Sequence, residues 1–190
     1  MPNDFFLNYV GNYIETDEEL KLALIQSFEY QKIEKKNYLQ IPCEVCNYQY
    51  FIISGCVKTY HTDKHGKDHT IIFLPPQWWA SDLNSFFNGT VSDYSIMAIV
   101  DTEVLRISKN SYDKLLSQHP IMETFFRKIY QGALIAQHKK VVEMLSLSAQ
   151  ERYDNFLQQF PNLSEYISFK DIATYLNMTP EHLSYLRKKM

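Results

Sequence analysis

Phe169-Lys170-Asp171-Ile172-Ala173-Thr174-Tyr175-Leu176-Asn177-Met178-Thr179-Pro180-Glu181-His182-Leu183-Ser184-Tyr185-Leu186-Arg187-Lys188-Lys189-Met190 is the stretch around which the rest of the sequence arranges itself. Ser168 followed by Asp171 is a capping signal and predicts a helix from about Phe169. Ile172, Ala173 and Leu176 form its apolar face. Asn177 tolerates the left-handed backbone that ends a helix. Met178 can fill the angle between two helices, Thr179 is a good N-cap, and Pro180 suits the first helical position, where its missing N–H costs nothing. Leu183 and Leu186 supply the inner face of the second helix. A helix, a tight turn and a second helix at this spacing match a DNA-binding helix-turn-helix, although such pairs also occur as hairpins that only pack. The outward residues Thr179, Glu181, His182, Ser184, Tyr185, Arg187 and Lys188 hydrogen-bond or carry positive charge, which suits base edges and phosphates.

The rest of the chain narrows the choice. With 190 residues, 45% of them hydrophobic and 22% charged, the sequence is that of an ordinary globular protein of one or two domains. The 14 Tyr and 12 Phe favour substantial β structure or a densely aromatic core. Net charge is −3, so no overall basicity announces a nucleic acid. From Ser148 onward the charges balance, but Arg187, Lys188 and Lys189 cluster at the end of the second helix, where they can meet a phosphate backbone. No apolar run approaches the roughly 18 residues of a membrane span. The start, Met1-Pro2-Asn3-Asp4, lacks the basic segment of a signal peptide, and an odd number of cysteines argues against a secreted disulfide framework. A cytoplasmic location is expected.

Taken in order, Asp4 to Ile14 carries aromatic residues at helical spacing, and Thr16 followed by Glu19 predicts a second short helix with Leu20, Leu22, Ala23 and Ile25. Phe28 to Leu39 reads as strand interrupted at Lys35-Lys36-Asn37, and Tyr48 to Val57 is a strong strand signal broken by Ser54-Gly55. Val57 to Tyr60 and Thr70 to Leu74 flank a polar stretch with Gly66 at its centre, the pattern of a hairpin. Tyr94 to Val100 and Glu103 to Ile107 read as a further strand pair joined at Asp101-Thr102. Short strands with regular turn signals predict an antiparallel sandwich or roll.

From Ser108 the period becomes helical. Lys109 to Gln118 is a short helix before Pro120, and Ile121 to Leu145 one long helix with apolar residues in two offset stripes: Phe126, Ile129, Ala133 and Ala136, then Leu134, Val141 and Leu145. A helix apolar on more than one side needs two partners, here the β domain and a second copy of the chain. Ser148-Ala149-Gln150-Glu151 is a capping box that opens a helix running to Phe160, stopped by Pro161. The expected organisation is therefore α+β: residues 1–120 as an antiparallel β roll (jelly roll) with flanking helices, 121–147 as a dimerisation helix, and 148–190 as the helix-turn-helix domain.

That order, with Tyr50-Phe51-Ile52-Ile53-Ser54-Gly55-Cys56-Val57-Lys58, Leu145 to Tyr153 and Ile172 to Ser184, resembles the CRP/FNR family of bacterial transcription regulators over essentially the whole chain, most closely its short Bacteroidetes-type members. The resemblance implies a cyclic-nucleotide-binding-like roll and a homodimer joined along the 121–145 helix. It also implies double-stranded DNA as partner, with the helix after Thr179 in the major groove of a pseudo-palindromic site. On this reading Thr179, Pro180, Glu181, His182, Ser184 and Tyr185 lie near base edges, and Arg187, Lys188 and Lys189 serve phosphates.

The effector site departs from the family pattern. cAMP-binding members carry a Gly-Glu-Leu turn and then an Arg that pairs with the cyclic phosphate. Here the turn is Ser81-Asp82-Leu83, and the Arg position holds Ser92, followed by Asp93, with no cation between Ala80 and Asp101. Asp82 can still hold a hydroxyl, but Asp93 repels a phosphate, so neither cAMP nor cGMP is expected to bind. Trp79, Ser81, Asp82, Leu83, Ser92 and Asp93 remain candidate lining for an unknown small-molecule effector. Arg or Ser is common in the family where Tyr185 stands, and the β wing that many members carry after this helix does not follow Met190. A different target sequence is expected.

Other constellations carry less. Cys43-x-x-Cys46 has only Cys56 to add, whereas FNR-type iron–sulfur clusters need four cysteines. His61, His65 and His69 share a face only if helical, which Gly66 and the flanking strands oppose, and the His-x-His motif of a metal-holding cupin does not occur. Trp78-Trp79 either lines a pocket or plugs the end of a sheet. No metal, cofactor or catalytic activity is expected. The alternative to a DNA-binding regulator is a small-molecule sensor or protein-interaction module with a vestigial helix-turn-helix.

Overall fold

Two corners of the chain, at Gly55 and at Asp101, decide how the strands are arranged in the computed structural model, which describes residues 2–161 and 166–188. The strands are β1 (Glu29–Ile33), β2 (Tyr38–Gln40), β3 (Tyr48–Ser54), β4 (Val57–Thr62), β5 (Asp68–Leu74), β6 (Trp79–Ala80), β7 (Tyr94–Ala98) and β8 (Thr102–Ser108). They form two four-stranded sheets, ordered β1-β8-β3-β6 and β2-β7-β4-β5. Thus β3 and β4, consecutive in sequence, lie in different sheets, and so do β7 and β8. The expected pairing of the last two strands is corrected accordingly: β8 pairs antiparallel with β1 and β3, for instance Leu105 opposite both Tyr30 and Phe51.

The reason is that both corners turn the chain out of one sheet and into the other, and they do so against each other. Gly55 has φ +83°, and a Cβ on it would stand 2.4 Å from the Asp101 carbonyl oxygen. The Thr102 hydroxyl clamps the junction. It accepts from the Cys56 N–H at 3.1 Å and lies within donor reach of the Cys56 and Val100 carbonyls, at 3.2 and 2.8 Å.

Chain contacts divide the protein into two compact units. The first comprises residues 1–59 and 73–131, the second residues 60–72 and 132–190. In the first, helices α1 (Pro2–Gly11), α2 (Glu18–Ser27), α3 (Leu83–Asn88), α4 (Lys109–Gln118) and the start of α5 (Ile121–Ser146) accompany the strands. The N-cap of α2 is Asp17, one residue after the expected Thr16, because its carboxylate accepts the Leu20 N–H at 2.8 Å and is the stronger acceptor. The aromatic richness of the sequence is spent here. Phe6, Tyr9, Phe28, Phe51, Phe125 and Phe126 join the buried core, each fully buried ring contributing about 1.5–3 kcal/mol.

The second unit holds the hairpin tip Tyr60–Ile72, the rest of α5, α6 (Ala149–Gln159), α7 (Phe169–Tyr175) and α8 (Pro180–Arg187). Asp63 shapes the tip by accepting the His65 and Lys67 N–H groups at 2.8 and 3.1 Å and by pairing with His69 Nε2 at 2.8 Å. The contact with His69 holds the half-buried Asp63 carboxyl down, at about 2.

Helix α5 changes character along its length. Met122, Phe125, Phe126 and Ile129 are buried, whereas Leu134, Ile135, Val141, Val142 and Leu145 are exposed, Ile135 at 69% and Leu145 at 84%. The expected first stripe therefore divides, since Ala133 is exposed and Ala136 half-buried. Leu147 and Ser148 separate α5 from α6, and the compact units part after Gln131.

Candidate nucleic-acid interface and effector site

The C-terminal helices are built on a small buried core of Tyr153, Phe156, Phe160, Ile167, Ile172, Ala173, Leu176, Leu183 and Leu186. Both halves of the Ser148 capping box are present, with the Ser148 N–H donating to Glu151 Oε2 at 2.8 Å and the Glu151 N–H to Ser148 Oγ at 3.3 Å. Ser168 caps α7 by accepting the Asp171 N–H at 3.1 Å. The chain then reverses at Asn177, with φ +53°, and the Met178 N–H returns to the Ala173 carbonyl at 2.9 Å. Thr179 Oγ1 accepts the His182 N–H at 3.2 Å and so starts α8, with Pro180 in the first turn.

Arg152 completes the joint, and sequence reading had given it no role. Its guanidinium donates to the Leu147 carbonyl at 2.8 Å and to the Leu176 carbonyl at 3.1 Å. One cation thereby satisfies carbonyls at the C-terminal ends of both α5 and α7, where the helix dipoles also favour it. Its position just inside the first turn of a capped helix is the only sequence signal that could have pointed to it.

Helix α8 presents Thr179, Pro180, Glu181, His182, Tyr185, Arg187 and Lys188 to solvent, with Ser184 half-buried. The Thr179 hydroxyl is engaged in capping. The backbone N–H of Glu181 itself, and then the Thr179 hydroxyl, hold the Glu181 carboxyl below its ordinary range, so it is an acceptor at neutral pH. The His182 and Tyr185 rings lie 6.4 Å apart, tilted by 31°, as neighbours on one face. Arg187 and Lys188 follow at the C-terminal end, and Lys189 lies outside the described residues. One face thus combines an acceptor, two aromatic rings and a cationic end.

The turn at the start of α3 is organised differently. Asp82 is buried and caps α3, accepting the Ser85 N–H at 3.2 Å. Ser85 Oγ accepts the Cys46 N–H at 2.7 Å and donates to the Thr90 carbonyl at 2.5 Å. Ser81 Oγ donates to the Tyr48 carbonyl at 3.3 Å. Ser92, buried, accepts the Tyr94 N–H at 3.1 Å, and its own N–H and carbonyl pair with Glu44 and Cys43. Each of these side chains is thus engaged with the backbone. Asp93 and Leu83 are exposed, and the Trp79 ring sits among Phe6, Phe28, Phe51, Phe125 and Phe126, at 5.4 to 6.1 Å from each. Trp79 is therefore half-buried and packed against the aromatic core.

Residues 30–119 match the family model described as the cyclic nucleotide-binding domain. Over that stretch the chain is similar to this family. Over most of its length the chain also shares the fold of solved bacterial regulators. FixK2 from Bradyrhizobium japonicum superposes with a TM-score of 0.73 at 19% identity, covering 85% of this chain and 83% of that one. The c-di-GMP-responsive global regulator CLP of Xanthomonas campestris gives 0.72 at 14%, covering 91% of each chain. A putative CRP/FNR-family transcriptional regulator from Eubacterium rectale gives 0.72 at 15%, covering 94% and 87%. No curated protein sequence matches this one.

Within residues 30–119, then, the polar side chains at Ser81, Asp82, Ser85 and Ser92 are engaged with backbone groups of the same segment and of Cys46, Tyr48 and Tyr94. The cysteines stand apart in kind: Cys43 is exposed at a turn, while Cys46 and Cys56 are buried, and burial pushes the Cys56 thiol up to about 12. His65 stands at the hairpin tip and His69 on β5, so the histidines do not share a helical face. Among the described residues no helix is long and apolar enough to cross a membrane.

Proposed function

We propose that the protein is a homodimeric, sequence-specific DNA-binding transcription regulator of the CRP/FNR type that acts in the cytoplasm and is not controlled by cAMP or cGMP. The observation that carries this reading is the outward face of α8: Glu181, His182 and Tyr185 beside the cations Arg187 and Lys188, on a helix held by the turn and caps of a helix-turn-helix. Donors and acceptors on a helix of this kind suit the major groove, and the terminal cations suit phosphates. The fold shared with FixK2, CLP and the Eubacterium rectale regulator supports the same reading.

Homodimerisation is supported by the exposed apolar length of α5. Leu134 and Val141, and likewise Ile135 and Val142, stand seven residues apart and make two adjacent rows of the kind that seat a second helix. A dimer brings two copies of α8 to one duplex and doubles the phosphate contacts.

The test is a double substitution. Arg187→Ala with Lys188→Ala weakens binding to every duplex sequence alike and reduces the magnitude of the salt slope by about one per cation lost in each subunit. Fluorescence anisotropy titrations across a range of salt concentrations measure both quantities. An unchanged slope removes these residues from the interface.

Independence from cyclic nucleotides follows from charge. Ser92 offers no cation to a cyclic phosphate, the exposed Asp93 repels one, and the Asp82 carboxylate is occupied in capping α3. Isothermal titration of the purified protein with cAMP is expected to give no heat of binding at micromolar concentrations; a micromolar affinity would overturn this part of the reading.

A further inference from the structure

Lys140 is a cation largely withdrawn from water that the reading above does not use. It lies on α5 in the second unit, and its ammonium donates a short hydrogen bond to the Ile71 carbonyl at the hairpin tip. The same nitrogen stands 3.7 Å from the centroid of the Tyr175 ring on α7. Beside it a second link joins the same two elements: Thr174 Oγ1 on α7 lies 3.1 Å from Thr70 Oγ1 and accepts the Thr70 N–H at 3.4 Å. Burial pushes the Lys140 ammonium down to about 8, against an opposing pull from Glu143 one turn along the helix. A charge held there is costly, and an apolar side chain of equal length would pack more cheaply. What the ammonium supplies is geometry: it fixes a carbonyl and a ring face at once, which no methylene can do.

We propose that Lys140 is a positioning residue for the reading head: with Thr174 it pins α7 to the tip of the β4–β5 hairpin, so that the helix-turn-helix moves with the hairpin as well as with α6. This rests on the reading of α7 and α8 as that head. A displacement of residues 60–72, by whatever signal reaches the roll, is carried straight to α7 and through the Asn177 turn to α8. The long helix supplies the fixed post on which hairpin and head are joined.

Hydrogen exchange followed by mass spectrometry on the full-length protein, without DNA, tests the link. Lys140→Met keeps the unbranched stem and removes the charge and the donors. It is expected to raise exchange about tenfold at residues 70–72 and 169–176, while β3 and β8 keep their protection. Lys140→Arg, which retains charge and donors, restores the slow exchange, and Thr174→Val gives a smaller rise at the same segments. Unchanged exchange in Lys140→Met overturns the proposal. So does a rise that Lys140→Arg fails to reverse, or one spread equally over β3 and β8, since either would reflect lost packing alone. Because no DNA is present, this result stands or falls separately from the DNA-binding reading.

Discussion

Ile135→Asp combined with Val142→Asp is expected to sediment as a monomer at concentrations where the unaltered protein forms the proposed dimer, with its affinity for DNA lowered by about a hundredfold or more. Both side chains are exposed in the single chain, at 69% and 60%, so neither supports the subunit's own core. Their burial in a symmetric helix pair contributes about 1.5–3 kcal/mol for each side chain, and symmetry counts every change twice. Aspartate removes that gain and places like charges against each other at the seam, which the apolar rows cannot compensate. The loss of DNA affinity follows because two linked heads bind with an effective concentration near the millimolar range, whereas a lone head must bind by itself. Circular dichroism of the variant should match the unaltered protein. Analytical ultracentrifugation and anisotropy give the two main readouts. A variant that stays dimeric places the interface elsewhere, and a monomer with undiminished DNA affinity removes the need for two heads.

Gly55→Ala is expected to cost about 3–5 kcal/mol, a large share of the roughly 5–15 kcal/mol that stabilises a typical domain. Part of this is conformational, because φ +83° is a backbone state that alanine adopts at a cost of about 1–3 kcal/mol. The remainder is steric. The added Cβ would stand 2.4 Å from the Asp101 carbonyl oxygen, 2.6 Å from Thr102 Oγ1 and 2.7 Å from Thr102 Cα, so the two corners that switch sheets must separate. Gly66 is the matched control. It has φ +77° but nothing within 4 Å of its would-be Cβ, and Gly66→Ala should cost only about 1–3 kcal/mol. Urea denaturation of both variants separates the terms. Equal losses at the two sites would show that the close approach of the corners contributes nothing.

The two corners also mark the limit of what local sequence could say. Alternation along Tyr48–Ser54 and Thr102–Ser108 locates β3 and β8, and Ser54-Gly55 announces a break, but no local signal says whether the next strand returns to the same sheet. That depends on Thr102 reaching Cys56, a contact between residues 46 apart in sequence. Helix ends were more legible because caps are local. Ser148, Ser168, Thr179 and Asn177 all perform the roles their chemistry implies, whereas at α2 the choice between adjacent Thr16 and Asp17 went to the carboxylate.

Side-chain roles divided along the same line. The outward face of α8 follows from helical spacing, so the candidate base-reading residues could be named in advance. Asp82 was legible as a polar group at a turn but not as the cap of α3, and Trp79 could not be placed against the aromatic core until β6 was seen beside β3. Lys140 sits in a Lys139-Lys140 pair that reads as solvated surface. Only the tertiary approach of Ile71 and Tyr175 turns one of the two inward. Ile135 and Val142 were missed for a related reason, since a stripe on a long helix drifts by about 20° per heptad and its neighbouring row is hard to assign from spacing alone.

Selection of bound duplexes from a random pool by the purified protein tests the central claim most directly. The account predicts enrichment of a two-fold symmetric site whose half-sites are centred about one helical turn, roughly 10 base pairs, apart, with no enrichment by the Arg187→Ala, Lys188→Ala protein. A dimeric, folded protein that enriches no sequence above the starting pool would contradict it, and would favour a sensor or interaction module whose helix-turn-helix no longer reads DNA.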